Sequence, residues 1–245
     1  MMNYCLTIEY DGSDYHGWQR QKNDATIQGE IEKALGTMTR QKIVVNGSGR
    51  TDAGVHALAQ TANFKSDAGL SAEAFQMGLN SLLSDDIVIR DCRVVADEFH
   101  ARYDAKGKIY QYHILNCKVP SAIRRRQVWH IRKKLNFYAM QKAAAFVLGE
   151  HDFKAFEGTG SPRSSTVRKV TTAEISRSSG EDITFTIEAD GFLRYMVRNI
   201  VGTLMEVGLS KMTPEGFKTV LTSGDRGLAG ATAPPQGLFL VRVIY

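Results

Sequence analysis

Two hydrophobic periodicities alternate along the chain, and this alternation restricts the possible folds more than any other feature. Apolar residues at every second position are typical of half-buried strands, and apolar residues three and four apart are typical of amphipathic helices. In the first half the order is strand, helix, strand, strand, helix, strand, and Thr26 is a suitable N-cap for the first helix. These segments span residues 3–12, 25–39, 42–46, 55–66, 71–83 and 86–95.

The second half has a comparable rhythm. Its patterns predict strands at residues 108–116, 127–131, 171–177, 182–191 and 238–245, and helices at residues 136–150, 192–208 and 214–224. The chain is therefore predicted to be α+β, with two ferredoxin-like halves that each resemble a split βαβ unit and are related by a pseudo-two-fold arrangement. We expect an N-terminal half at residues 1–105 and a C-terminal half at residues 106–245. Because no low-complexity linker separates them, the halves are expected to form a central cleft.

Composition excludes several classes of protein. With 245 residues, of which 43% are hydrophobic, the chain can build a substantial core. No apolar run approaches the roughly 20 residues that cross a bilayer, and the N-terminus lacks the apolar region of a signal peptide, so we expect a cytoplasmic protein. Cys5, Cys92 and Cys117 are odd in number and far apart, which favours buried reduced thiols over a zinc site or a disulfide framework.

Charge is divided unevenly between the halves. Residues 1–105 contain 10 Lys and Arg against 15 Asp and Glu, a net −5, whereas residues 106–245 contain 21 against 11, a net +10. The basic half includes the run Arg124, Arg125 and Arg126, which indicates a surface that binds a polyanion such as nucleic acid. The alternative is a solvated loop that only keeps the protein soluble.

The loop at residues 46–57, NGSGRTDAGVHA, concentrates chemically active groups between two predicted strands. It has neither the lysine and glycine spacing of a P-loop nor the G-x-G-x-x-G pattern, since its sixth position is Asp52. It also lacks the further carboxylates of a calcium loop, and one histidine is too few for a zinc site. What remains is the Asp52 carboxylate near the Arg50 guanidinium, on glycines that allow close approach of another molecule. A tight turn capped by Asp52 explains the same residues.

Two further segments contain candidate site residues. Apolar residues cover most of the predicted helix at 192–208, so Arg198 in its middle needs an anionic partner, either a ligand or an ordinary structural ion pair. On the predicted strand that begins near residue 108, Tyr110 and Tyr112 share a face with Lys106 and Lys108. This arrangement fits either core packing or a basic cleft in which bases stack.

Several motifs, taken together, resemble the tRNA pseudouridine synthases of the TruA type. They occur in the order of that family and extend over essentially the whole chain: YDGSDYHGWQRQ, GRTDAGVHA, FHARYDAKGKIYQYHI, GEHDFKAF, FLRYMVRNIVGTLMEVG and GLFLVRVIY. The resemblance implies the pseudouridine synthase fold, a homodimer that binds tRNA, and an isomerase without cofactor or metal. Its reaction would convert uridine to pseudouridine in the anticodon stem-loop, just 3′ of the anticodon at tRNA positions 38–40.

The resemblance also assigns roles to residues. Asp52 would be the catalytic carboxylate, and Arg198 would pair with it and keep it ionised. Tyr110 would pack on the flipped uracil, and Arg50 would contact the RNA and hold the space left by the extruded base. Whether Asp52 adds to the sugar, adds to the base or abstracts a sugar proton is left open by the residues.

Two other classes of function compete with this hypothesis. The combined presence of Asp52, Tyr110 and Arg198 argues against a non-catalytic RNA-binding protein of the same fold, since binding alone would not require an acidic group at a polyanion site. A metal-dependent hydrolase would need acidic or histidine companions for Asp52 at ligand spacing, and the sequence has none.

Overall fold

The computed structural model describes residues 1–160, 165–178 and 180–245. Its strands are β1 (Met2–Tyr10), β2 (Asn46–Gly47), β3 (His56–Ser66), β4 (Ile87–Val95), β5 (Gly107–Leu115), β6 (Trp129–His130), β7 (Gly149–Asp152), β8 (Val167–Arg177), β9 (Asp182–Ala189) and β10 (Leu238–Ile244). Its α-helices are α1 (Ile27–Thr39), α2 (Ala72–Leu82), α3 (Phe137–Ala145), α4 (Met196–Gly208) and α5 (Pro214–Ser223). The α+β class predicted from the sequence is confirmed.

The first compact unit contains residues 1–106 and 239–245. Its sheet has the order β4-β1-β3-β10, with β1 antiparallel to both β3 and β4. Because α2 connects β3 to β4 while β1 lies between them, these elements form the predicted split βαβ unit. The Thr26 side chain accepts a hydrogen bond from the Gly29 N–H at 3.3 Å, which confirms the predicted N-cap of α1.

The second compact unit contains residues 107–238. Its sheet has the order β5-β9-β8-β7, and each neighbouring pair is antiparallel. Strands β5 and β8 therefore run in the same direction, with β9 between them and α3 in their connection. This is a second split βαβ arrangement, so both halves have the motif that the sequence pattern predicts.

The structure differs from the predicted elements at several boundaries. The terminal strand β10 lies in the first unit rather than the second, because it pairs in parallel with β3. The strand expected at residues 42–46 is reduced to the two residues of β2, and the helix expected at 136–150 ends at Ala145 before the short strand β7. The helix expected at 192–208 begins only at Met196, because Tyr195 has a left-handed backbone with φ of 61°.

Helix α4 is buried on most of its circumference, as predicted. The helix packs against α3 and α5, and its most enclosed apolar side chains are Met196, Ile200, Val201, Leu204 and Val207. The free thiols of Cys5 and Cys92 are buried as expected, whereas Cys117 is half-buried. Among the described residues, no helix combines the length and the apolar character that a membrane span requires.

Candidate active site

The Asp52 loop consists of residues 48–55 and joins β2 to β3, as the sequence pattern predicts. Its tip is a tight turn in which the Val55 N–H donates to the Asp52 carbonyl oxygen at 3.2 Å, and Gly54 has a positive φ of 77°. Glycine is suited to this left-handed position because it has no Cβ. The Asp52 side chain is half-buried, while the neighbouring Arg50 is exposed.

Backbone hydrogen bonds from residues 10–18 hold the Asp52 loop in place. The Trp18 N–H donates to the Thr51 carbonyl oxygen at 3.1 Å, and the Gly54 N–H donates to the Tyr15 carbonyl oxygen at 3.3 Å. These two contacts lie on either side of Asp52. The Thr51 bond constrains the peptide that precedes Asp52, and the bond from the Val55 N–H to the Asp52 carbonyl oxygen constrains the peptide that follows it, so the carboxylate is presented from a well-supported backbone.

Two glycines let residues 10–18 approach the Asp52 loop this closely. Gly17 has a φ of 90°, and a Cβ built on it would lie 2.6 Å from the Thr51 carbonyl oxygen. A Cβ on Gly12 would overlap the carbonyl oxygen of Val55. Neither glycine was predicted from the sequence to have a role at the site. Both glycines lie in the motif YDGSDYHGW, which belongs to the same family as the motif that contains Asp52. This shared membership is the sequence signal that could have linked the glycines to the site.

Buried side chains constrain the loop from its other side. The Gln60 Nε2 donates to the Gly49 carbonyl oxygen at 3.0 Å, and the Ser48 hydroxyl donates to Gln60 Oε1 at 2.7 Å. The Tyr10 hydroxyl lies 2.8 Å from Thr51 Oγ1, and both residues are buried. Sequence periodicity alone identifies these residues as strand or loop positions and does not reveal that they meet.

Hydrogen bonds through two glutamine side chains hold Arg50 in place. Its Nε donates to Gln19 Oε1 at 2.9 Å, and Gln19 Nε2 donates to Gln28 Oε1 at 2.8 Å. Gln28 Nε2 in turn donates to Glu32 Oε1 at 3.1 Å and to the Val45 carbonyl oxygen at 2.9 Å. The exposed guanidinium is therefore anchored at its Nε, while its position at the surface gives its terminal nitrogens access to solvent. Gln19, which lies in the same sequence block as Gly12 and Gly17, was not predicted as a site residue.

Tyr110 and Tyr112 both lie on the buried face of β5, so the prediction that they share a face is confirmed. Tyr112 is a core residue: it is fully buried, and its hydroxyl donates to the Pro234 carbonyl oxygen at 2.7 Å. The Tyr110 ring packs edge to face against Phe192, with ring centroids 5.0 Å apart. Burial raises the pKa of Tyr112, and the positive charge of Arg198 acts in the opposite direction.

Arg198 lies in the first turn of α4 rather than in the middle of a helix, because the helix begins at Met196. Its side chain is half-buried, and its Nε donates to the carbonyl oxygen of the buried Ala233 at 2.8 Å. The guanidinium carbon also lies 5.1 Å from the ring centroid of Tyr195, whose other neighbour is the Arg194 guanidinium at 4.7 Å. Arg198 is thus fixed by a buried carbonyl and an aromatic face.

The four candidate residues fall into two groups. Asp52 and Arg50 share one loop of the first unit, and Tyr110 and Arg198 lie in the second unit. The pairing of Asp52 with Arg198 that the resemblance implies stays a prediction.

The arginine-rich segment, residues 117–128 of the second unit, has a different character. Arg124 Nη2 lies 2.5 Å from Asp182 Oδ1, so this arginine forms an ion pair. Arg125 is exposed and donates to the nearby Ala122 carbonyl oxygen at 2.7 Å, and Ile123 is 89% exposed. The segment therefore presents cations and one apolar side chain at the surface.

Histidine, cysteine, aspartate and glutamate side chains do not gather in threes at metal-binding distance anywhere in residues 1–160, 165–178 and 180–245. The candidate residues contribute a half-buried carboxylate and an exposed guanidinium in the first unit, and a buried aromatic ring and a half-buried guanidinium in the second. The net positive charge of residues 106–245 favours a polyanionic partner such as nucleic acid.

Comparison with known proteins identifies the family. The sequence model of the tRNA pseudouridine synthases matches residues 6–104 and 143–245, and the chain belongs to this family. It is 48% identical over 245 residues to the tRNA pseudouridine synthase A of Acetivibrio thermocellus and to that of Thermoanaerobacter sp. strain X514, with all of both chains covered in each case. It is also 46% identical to the tRNA pseudouridine synthase A 2 of Clostridium perfringens, again over the full length of both chains. The chain is therefore an isomerase that converts uridine to pseudouridine in tRNA.

A solved structure of an archaeal box H/ACA Nop10–Cbf5 complex is also similar, with a TM-score of 0.35 and 15% identity over 97% of this chain and 48% of that one. A similarity this low supports no argument. The fold described above rests on strand order and register within each unit.

Proposed function

We propose that the substrate uridines lie in the anticodon arm of tRNA, just 3′ of the anticodon, and that Asp52 is the catalytic carboxylate. The observation that carries this proposal is the support of Asp52: hydrogen bonds at Thr51 and Gly54 constrain the backbone on both of its sides. A carboxylate repels the phosphates of RNA, so a chain that binds RNA gains nothing in affinity from presenting one so rigidly. Chemistry explains the arrangement better than binding does.

The reaction balances without a cofactor. The bond between uracil N1 and ribose C1′ breaks, the base rotates, and a bond forms between C5 and C1′. The hydrogen on C5 leaves as a proton and N1 gains one, so nothing is oxidised or hydrolysed. The protein has to supply an ionised carboxylate beside the sugar and a pocket that holds the detached uracil. We propose that Asp52 supplies the first and that no metal or cofactor takes part.

Tyr110 and Arg198 complete the proposed site. The Tyr110 ring, fixed edge to face against Phe192, would pack on the flipped uracil, and its hydroxyl would assist proton transfer at C5. Arg198 would pair with Asp52 and keep its carboxylate ionised. Arg50 would contact the RNA and hold the space left by the extruded base, and its anchoring through Gln19 supports this role. Extrusion costs a few kcal/mol, which phosphate contacts must offset.

The remaining RNA contacts are assigned to the basic second unit. We propose that Arg124, Arg125 and Arg126 contact the tRNA body, with Arg124 also engaged by Asp182. We further propose that the protein acts as a cytoplasmic homodimer. Sedimentation velocity of the purified protein, alone and with tRNA, measures the oligomeric state directly, and a monomer in the active complex would overturn this part of the proposal.

The decisive experiment treats unmodified tRNA transcripts with the purified protein and maps pseudouridine by position. We expect modification 3′ of the anticodon, with activity that a chelator does not reduce. Modification confined to another arm would contradict the proposed substrate, and loss of activity on chelation would favour a metal-dependent reaction. Release of tritium from uracil C5 of labelled tRNA distinguishes the isomerase from a protein that only binds RNA.

A further inference from the structure

Tyr10 is a buried residue at the end of β1 whose hydroxyl reaches the Asp52 loop. It is 3% exposed, and its hydroxyl lies 2.8 Å from the Thr51 hydroxyl, which belongs to the residue directly before Asp52. Thr51 is 7% exposed. Either hydroxyl can donate in this bond, and each would be left without this partner if the other were removed.

We propose that Tyr10 is a positioning residue for Asp52, which it orients through its hydrogen bond to Thr51. The inference rests on the proposed catalytic role of Asp52. The proposed role of Tyr10 does not include contact with the substrate. Its function would be to fix the rotamer of Thr51, and through it the direction in which the Asp52 carboxylate leaves the backbone.

The orientation of Thr51 affects that of Asp52 because the two residues share one planar peptide. The Thr51 carbonyl oxygen accepts the Trp18 N–H at 3.1 Å, which constrains the planar peptide between Thr51 and Asp52. The hydrogen bond from Tyr10 adds a second constraint at the side chain of the same residue. Two hydrogen bonds to one residue fix the orientation of Thr51. The backbone bond alone would still allow Thr51 to rotate about the axis of that hydrogen bond.

Tyr10 is suited to a fixed structural bond rather than to proton transfer. Burial raises the pKa of Tyr10 well above its ordinary value, so the hydroxyl stays protonated throughout the physiological range. Gln60, which is fully buried, constrains Ser48 and Gly49 on the other side of the loop. Tyr10 therefore acts on the residue directly before Asp52, whereas Gln60 acts on Ser48 and Gly49 and also interacts with the Tyr10 hydroxyl.

The chain offers a matched control in the same strand. Tyr4 lies near the opposite end of β1, is 1% exposed, and donates its hydroxyl to the Leu70 carbonyl oxygen at 2.8 Å. Tyr4→Phe and Tyr10→Phe each remove one hydroxyl of similar burial and bond length from the same strand. Any difference between their turnover numbers therefore reports on the loop.

The test measures tritium release from C5-labelled tRNA at saturating tRNA, together with the Kd for tRNA and circular dichroism of each variant. We expect Tyr10→Phe to lower turnover by about 10- to 100-fold with a Kd within about two-fold of the wild-type value, because small misplacement of a reacting group costs rate rather than binding. Tyr4→Phe should turn over within about two-fold of the wild type. Equal turnover of the two variants would overturn the proposal.

Substitutions at Thr51 test the other end of the bond. Thr51→Val removes the hydroxyl, whereas Thr51→Ser retains it, so Val should lose turnover as Tyr10→Phe does and Ser should restore it. The double variant Tyr10→Phe with Thr51→Val should be no slower than the slower single variant, since both remove the same bond. Multiplied losses in the double variant would mean that the two hydroxyls act separately and would refute the assignment.

Two further measurements keep this inference separate from the proposed function. Asp52→Asn is assayed alongside these variants. Turnover by Asp52→Asn would refute the catalytic role of Asp52 itself. An inactive Asp52→Asn together with a fully active Tyr10→Phe would refute only the role of Tyr10. If Tyr10→Phe does not fold by circular dichroism, the comparison of Thr51→Val with Thr51→Ser decides the question, with equal turnover of those two against the proposal.

Discussion

The Asp52 loop and the arginine-rich segment both contain predicted functional residues, yet the structure supports them very differently. Residues 48–55 are held by backbone bonds from Trp18 and Tyr15 and by buried side-chain bonds from Gln60 and Tyr10. In residues 117–128, Arg125 is exposed and bonds within its own turn, and Arg124 has a surface ion pair with Asp182.

This difference matches the two tasks. A reacting carboxylate has to be held within fractions of an ångström of its target, so its support is buried and redundant. A phosphate contact depends mainly on charge within reach of the RNA backbone, so a long exposed side chain is sufficient. Substitutions in the two segments should therefore differ in kind: the Asp52 loop should affect turnover, and the arginine-rich segment should affect binding and its salt dependence.

The largest effect is expected from Asp52→Asn. Removal of the reacting charge should lower turnover by about 100- to 10,000-fold, the range found for positioned acid–base groups, and should leave tRNA affinity within a few-fold. Tritium release and a binding titration measure the two quantities. Asp85→Asn, an exposed aspartate of the same unit, is the control for charge. Turnover above a few per cent of wild type, with deamidation to Asp excluded, would remove Asp52 from the site.

The next effect is expected from Gly17→Ala, compared with Gly69→Ala. Both glycines have positive φ, at 90° and 72°, but only at Gly17 would the new Cβ meet the Thr51 carbonyl oxygen. Gly69→Ala should cost about 1–2 kcal/mol of backbone strain and leave turnover unchanged. Gly17→Ala adds an overpacking cost of about 1–3 kcal/mol, and it should lower turnover by about 10-fold or more because it displaces the loop. Chemical denaturation and the tritium assay check both variants, and equal behaviour would show that the close approach is unimportant.

A smaller effect is expected from Arg125→Gln combined with Arg126→Gln. If both arginines bind phosphates, the slope of log affinity against log salt should become shallower by about 0.7–0.9 for each phosphate that is no longer neutralised, with turnover at saturation unchanged. Lys22→Gln with Lys33→Gln neutralises two exposed cations of the acidic first unit and should leave the slope unchanged. If both double variants have the same slope, the arginine-rich segment does not contact phosphates and is only a solvated loop.

The smallest effect is expected on stability within the arginine-rich segment. Arg124→Gln removes the partly exposed ion pair with Asp182 and should cost no more than about 1 kcal/mol, and Arg125→Gln should cost less. Urea denaturation of both variants measures the difference. A cost above about 2 kcal/mol for Arg124→Gln would identify the ion pair as structural. The arginine-rich segment would then be supported in the same way as the Asp52 loop, against the contrast between these two segments.

The sequence predicted the regular elements better than their ends. Periodicity identified α1 and α5 because each buries one face and the spacing of apolar residues reports that face directly, and it identified β1 and β3 although both strands are buried on much of each face. It failed at α4, where apolar residues continue upstream of Met196 but Tyr195 adopts a left-handed backbone. It also failed at residues 42–46, where Ile43 and Val45 are buried and Val44 is exposed without extended strand pairing, because alternating burial gives the same sequence pattern as a paired strand.

By itself the sequence determined the α+β class, the glycine-rich loop with Asp52 and Arg50, and the family, because these depend on local residue types and their order. Only the tertiary structure decided what supports the loop. Tyr10 and Thr51 are 41 positions apart, and Gly17 meets the loop across a similar interval. Contacts between residues so distant in sequence leave no periodic trace, because their geometry depends on how β1 and β3 pair in one sheet and bring the loop and residues 10–18 together.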